Sequence, residues 1–246
     1  MNISIVAEPL FEIAGFPVTN SMLVGVVMSV LLIILGLCAS RRLALIPRGT
    51  QNFMESVLEQ ILAMIDSVTH NRDQSKKFFP LIATIFLFII SVNWAGLLPG
   101  SGSIGLREVH EGQQILIPFI RSTSADLNFT IALAIISVVT VQVVGIMSIG
   151  FFKYAGRFIN FSNPLNFFVG ILELVSECAK LISFSFRLFG NIFAGEVLLT
   201  VMTVLVPYII PLPFLALEVF VGFIQAFVFA ILTLVFLKMA SEEMTH

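Results

Sequence analysis

The sequence predicts an all-α polytopic membrane protein with about five membrane crossings and one amphipathic surface helix. The last two crossings are expected to form a long, strongly tilted helical hairpin. Three observations predict this class. The 246 residues are 58% hydrophobic and only 11% charged, against about 25% charged in an average soluble domain. The mean hydropathy is +1.03. The uncharged residues gather into long runs, at 13–40, 78–106, 127–152 and 197–217, each enough for a helix of about 20 residues across roughly 30 Å of hydrocarbon.

The elements follow in order within a single membrane domain, 1–246. Residues 1–18 form an outer N-terminal segment. It carries Glu8 and Glu12 but no Lys or Arg, so it lacks the basic start of a cleaved signal. The first apolar run is therefore expected to stay as a span, 19–40. Arg41, Arg42 and Arg48 follow it. Between Gln51 and His70, the apolar residues Phe53, Val57, Ile61, Met64, Ile65 and Val68 recur at helical spacing. This predicts an amphipathic helix over 50–70, lying on the membrane surface, against a partner, or on its own protein. A second span, 78–98, ends at Pro99-Gly100-Ser-Gly-Ser-Ile-Gly105. An outer loop covers 99–125. Ser124-Ala-Asp126 opens the third span, 127–150.

The last two elements are unusually long. No proline interrupts the chain between Pro164 and Pro207, and one helix of that length would extend roughly 60 Å. Either the helix at 164–206 breaks near Gly190 or Gly195, or it tilts steeply. Pro207-Tyr-Ile-Ile-Pro-Leu-Pro213 predicts a turn, and 213–240 the returning helix.

Positive charge sets the orientation. With loops 41–77 and 153–157 and the C-terminus inside, nine Lys and Arg lie on that side. Only Arg107 and Arg121 lie on the other. The N-terminus is then outside and the C-terminus cytoplasmic. The net charge of −2 gives no reason to expect nucleic acid. There is no Gly-x-x-x-x-Gly-Lys-Ser/Thr loop, so no nucleotide is expected to bind this chain directly. No cofactor or metal is expected. Cys38 and Cys178 read as reduced, buried thiols without metal-ligand spacing.

The charges inside the long hairpin carry the most information. Glu173, Glu177, Lys180 and Arg187 fall within one arc of about 80° on a helix, and Glu196 falls on the opposite face. Glu218, Gly222 and Gln225 share a face of the returning helix. Folding about Ile209 and Ile210 brings Glu196 to the depth of Glu218, and Arg187 toward that of Gln225. Glu173 lies toward the other surface. A carboxyl in such a site can take up and release a proton. A guanidinium cannot, so Arg187 would repel cations and hydronium between the two carboxyl sites. An arginine in mid-membrane is normally functional. Glu177 and Lys180 can pair with each other at i, i+3, which leaves Arg187 without an obvious partner in the chain. The plainer readings are a buried structural acid pair for Glu196 and Glu218, a solvated carboxylate for Glu173, a helix cap for Asp126, and interhelical hydrogen bonds for Asn191 and Gln225.

Ser185-Phe-Arg-Leu-Phe-Gly-Asn-Ile-Phe-Ala-Gly-Glu196 resembles the signature of subunit a of the F-type ATP synthase, in its bacterial form. Ser124-Ala-Asp-Leu-Asn128, Phe161-Ser-Asn-Pro-Leu165, Phe16-Pro-Val-Thr-Asn-Ser21 and the pair Glu218 and Gln225 are also similar, so the resemblance covers nearly the whole chain. It implies a stator subunit beside a rotating ring of small hydrophobic c subunits, each with a carboxyl at mid-membrane. Two offset half-channels would pass protons to and from the ring, coupling their flow to ATP synthesis. Arg187 would face the ring carboxylate and separate the channels. Glu196, Glu218, Asn191, Gln225 and Asp126 would belong to the outer half-channel and its surroundings, and Glu173 to the inner one. The implied partners are the c-ring, the b subunits of the peripheral stalk, the rest of the complex and the lipid of a bacterial plasma (inner) membrane. Nucleotide chemistry would reside in other subunits.

One departure stands out. Many bacterial members pair a glutamate with a histidine where Glu196 and Glu218 stand. His70, His110 and His246 all lie outside the predicted spans, so two glutamates are expected to titrate as a coupled pair. The alternatives to a stator are a self-contained proton or cation transporter and a passive scaffold. A transporter often carries internal repeats, and none is evident.

Overall fold

A computed structural model describes residues 7–13, 15–41, 49–98, 104–110, 113–158, 164–206 and 210–242. Seven helices dominate these residues: α1 (Asn20–Ser40), α2 (Thr50–Thr69), α3 (Arg72–Ala95), α4 (Leu127–Ile149), α5 (Phe151–Phe158), α6 (Pro164–Leu205) and α7 (Pro211–Glu242). Five of them, α1, α3, α4, α6 and α7, are long and apolar enough to cross a membrane. The all-α, five-span class expected from sequence is the class observed.

Local chemistry sets several boundaries. Thr19 caps α1 by accepting from the Met22 N–H. Asn71 caps α3 by accepting from the N–H groups of Asp73 and Gln74, so α3 starts on a polar turn before its apolar run. Asp126 caps α4 by accepting from the Asn128 N–H, filling a donor that the first helical turn leaves open. Gly150 ends α4 at φ +89°, a conformation that favours glycine. It lets α5 fold back until Tyr154 donates to Gln142 Oε1.

Two loops hold more structure than the sequence pattern predicts. The N-terminal segment contains an antiparallel hairpin of β1 (Pro9–Ile13) and β2 (Phe16–Thr19). The loop between α3 and α4 contains a second, β3 (Gly105–His110) with β4 (Gln113–Pro118), and then one helical turn at Thr123–Ala125. Residues 153–157, expected to be a loop, lie within α5. Part of the predicted turn, Pro207 to Ile209, lies outside the described residues. So do Arg42, Arg48, His246 and residues 161–163 of Phe161-Ser-Asn-Pro-Leu165.

Helix α6 runs unbroken through Gly190 and Gly195 for 42 residues, roughly 63 Å at 1.5 Å per residue. Two glycines cost a helix about 1 kcal/mol each, and without an internal proline this does not break it. Helix α7 packs against α3, α4 and α6. Its Phe229, Leu234 and Leu237 join Ile82 and Ile89 of α3 and Leu188 of α6 in the core. Ile61 and Ile65 of α2 enter the same core, while Phe53 at the other end is exposed. The inner half of α2 thus packs on its own protein. Cys38 and Cys178 are free thiols as expected, but exposed rather than buried. The outward faces of membrane helices are themselves apolar, so apolar neighbours in sequence do not mean a place in the protein core.

Candidate proton-path site

The site begins with an irregular segment that is buried. Arg121, Ser122, Thr123, Ser124 and Ala125 are all at most 7% exposed, although connecting segments usually run over the surface. They fit because their neighbours are small and their polar atoms are largely paired. A Cβ added at Gly96, just past α3, would lie 2.7 Å from Ser122 Cβ, and one at Gly25 of α1 would lie 3.2 Å from Thr123 Cγ2. Thr123 Oγ1 donates to the Ser21 carbonyl at 3.0 Å, and Ser122 Oγ to the Val92 carbonyl at 3.4 Å. Ser21 Oγ donates to Asp126 Oδ2 at 2.7 Å. Asn20 Nδ2 donates to the Pro118 carbonyl at 3.2 Å. Two sequence motifs about a hundred residues apart, around Ser21 and around Asp126, thus form one junction.

This junction aims Arg121 at α6. Its Nε lies 3.2 Å from Glu196 Oε1 and 3.3 Å from Oε2. The sequence reading counted Arg121 only as an outer-loop charge. Nothing local marks it as a site residue, because its reach depends on how the 121–125 segment is wedged between helices.

Glu218 of α7 is 5% exposed and makes no hydrogen bond or ion pair among the described residues. Its carboxyl fills the notch beside Gly195, where a Cβ on that residue would collide with both oxygens. Gly195 precedes Glu196 on α6, so Glu218 and Glu196 lie at a similar depth of the hairpin. About one turn further along, Asn191 Nδ2 donates to Gln225 Oε1 at 2.7 Å, and Gln225 is 3% exposed. Residue 195 faces 218 at about the depth expected for Glu196, whereas Gln225 faces Asn191, one turn from Arg187, the residue expected toward its depth. Gly222, on the same face as Glu218 and Gln225, lies against Asn93 of α3. Asn93 Nδ2 donates to the Gly222 carbonyl at 3.0 Å, and Trp94 Nε1 donates to the Val219 carbonyl at 3.1 Å. Both α3 residues escaped the sequence reading, although a buried asparagine in an apolar span is a signal in itself.

Arg187 stands apart. It is exposed on α6, and its Nη2 donates to Ser183 Oγ at 3.0 Å. It makes no ion pair among the described residues. Ser176, Ala179, Ser183 and Ala194 are exposed on the same helical face, with Gly190 half-buried between them. Small residues let a neighbouring helix approach closely. Glu173 is half-buried, 14 residues before Arg187 and so roughly 21 Å away along the helix. Glu177 and Lys180 pair at 2.6 Å, as their spacing predicts, and the ammonium sits 4.8 Å from the Phe236 ring centre. Asp126 bonds to Ser21 and Asn128, which gives it a capping and clamping place.

Residues 21–238 match the family model described as ATP synthase A chain. The chain belongs to this family. It is 36% identical over 212 residues to ATP synthase subunit a of Campylobacter jejuni subsp. jejuni serotype O:23/36 (strain 81-176), covering 85% of this chain and 84% of that one. It is 35% identical over 235 residues to ATP synthase subunit a of Helicobacter pylori (strain Shi470), covering 92% and 93%. The corresponding protein of Moorella thermoacetica (strain ATCC 39073 / JCM 9320) is 29% identical over 231 residues, covering 93% of each. Membership and the five apolar helices make this a multi-pass membrane protein.

Proposed function

We propose that this chain is the stator subunit of an F-type ATP synthase, passing protons to and from carboxylates of a rotating c-ring through two offset half-channels. In this reading Glu196 and Glu218 take protons from the outer side, with Asn191 and Gln225 supporting them. Glu173 serves the inner side, and Arg187 separates the two. Helix α6 lies strongly tilted against the ring, since its length is about twice the hydrocarbon thickness. The N-terminus is outside and the C-terminus cytoplasmic in a bacterial inner membrane, and the b subunits of the peripheral stalk hold the chain still.

One observation carries the reading. Arg187 is exposed on a membrane helix and finds no carboxylate among the described residues. A guanidinium in hydrocarbon needs a counter-charge, and a mid-membrane carboxylate on an adjacent rotor would supply it. The small residues around Arg187 leave room for that helix. A passing carboxylate beside a fixed positive charge favours its ionised form, so each rotor carboxyl would release its proton on approach. Hydronium would be repelled by the same charge, keeping the half-channels apart. A self-contained transporter would need an internal counter-ion for Arg187.

The test is Arg187→Ala in the assembled complex. ATP synthesis driven by a proton gradient should fall to background while the complex still assembles. Unchanged synthesis would defeat the reading in favour of a passive scaffold.

A further inference from the structure

We infer that Arg121 is a positioning residue for the outer proton path, acting through Glu196. The inference rests on the reading of Glu196 and Glu218 as that path. The two carboxyls are held in different ways. Glu196 is half-exposed and accepts at Oε2 from the buried Arg121 Nε, which also lies 3.2 Å from Oε1. Glu218 is buried, touches no cation among the described residues, and is held only by the shape of the Gly195 notch. Arg121 itself is fixed by the wedged segment at Ser122 to Ala125, which hangs on Ser21 of α1 and Val92 of α3.

This arrangement gives the two glutamates separate tasks. A charge-assisted hydrogen bond from a guanidinium holds a carboxylate more strongly than a neutral donor does. Glu196 is thereby locked as a stationary group on the wall of the path. Glu218, with no bond to break, is free to turn between its neighbour and the interior of the hairpin. It is the group that carries the proton from the outer side toward Asn191 and Gln225. Without Arg121, Glu196 would lose its fixed place, and two adjacent carboxyls would compete for one position.

The experiment is a double-mutant cycle on passive proton conductance, in inverted membrane vesicles carrying the assembled complex with its soluble catalytic sector removed. Arg121→Gln should lower conductance by about tenfold or more, because Glu196 then loses the group that holds it in place. Glu196→Gln should lower it to a similar extent. The Arg121→Gln/Glu196→Gln pair should be no lower than either single variant. Arg121→Lys, which keeps the charge, should recover much of the loss, a rescue that a purely structural role for the guanidinium would not predict.

Normal conductance in Glu196→Gln would remove the underlying pathway reading and this inference with it. A loss in Glu196→Gln beside normal conductance in Arg121→Gln would overturn the inference alone, as would multiplicative losses in the pair. If Arg121→Gln fails to assemble, the pair decides. Assembly restored by removing the Glu196 charge supports the inference, and assembly still lost assigns Arg121 a structural role and overturns it.

Discussion

Two arginines divide this molecule. Arg121 is 7% exposed, sits in a wedged loop and is paired with Glu196. Arg187 is exposed on a long helix and bonds only to a serine hydroxyl among the described residues. The first charge is compensated inside the chain. In the proposed function the second is compensated from outside it. The contrast separates what holds the fold from what acts on a partner, and it does so between residues of the same type. A buried charge that loses its partner is strongly destabilising, whereas an unpaired charge on the outside of a membrane helix adds no stability to the fold.

The largest difference should appear when each arginine is removed from the detergent-solubilised chain. Arg121→Gln should destabilise it by about 2 kcal/mol, a value below the usual buried-pair figure because Glu196 is 34% exposed. Arg187→Gln should not destabilise the chain, because it removes from an apolar surface a charge that is unpaired among the described residues. Thermal unfolding followed by circular dichroism compares the two, and equal losses would break the contrast.

A smaller effect sharpens it. Gly195→Ala places a methyl group where the Glu218 carboxyl lies. Overpacking of this kind costs about 1–3 kcal/mol. The expected result is lower stability together with reduced proton conductance in vesicles, since Glu218 must leave its notch. Loss of stability with full conductance would show that the notch does not place the carboxyl for transport.

The smallest effect lies outside the membrane helices. At the joint between α2 and α3, the Ser75 hydroxyl and the Arg72 guanidinium beside Asp66 hold its carboxyl below its ordinary value of 3.8. A lowered carboxyl pKa adds stability that is present above the unfolded value and is lost as pH falls through the folded value. The joint should therefore weaken only below about pH 4. Asp66→Asn should remove the same small increment at neutral pH and flatten the acid dependence of hydrogen exchange in residues 66–75. An unchanged acid dependence would dissociate Asp66 from it.

The sequence made the membrane helices legible because hydrocarbon demands long uncharged runs, and such runs are visible without a structure. It also exposed Arg187, Glu196, Glu218 and Gln225, since polar groups are conspicuous against an apolar background. Hairpin folding places Glu218 near the depth of residues 195 and 196, but Gln225 meets Asn191, one turn from the Arg187 depth expected for it. Arg121 was hidden for the opposite reason. A charge in a polar loop is ordinary until tertiary packing carries it inward, and that packing depends on Gly25, Gly96, Ser21 and Val92 from two other helices. Continuity of α6 through Gly190 and Gly195 was left open by the sequence because helix propensity weighs glycine without its packing. The two β-hairpins lie in loops where no strong alternation of apolar and polar residues announces them.

The central claim is that the counter-charge of Arg187 comes from another subunit. A cryo-electron microscopy structure of the assembled ATP synthase, resolved in several rotary states, tests it most directly. The account predicts a carboxyl group of a neighbouring membrane subunit within about 4 Å of the Arg187 guanidinium in at least one state. A carboxylate of this same chain bound to Arg187 in every state, with no other subunit in reach, would contradict it.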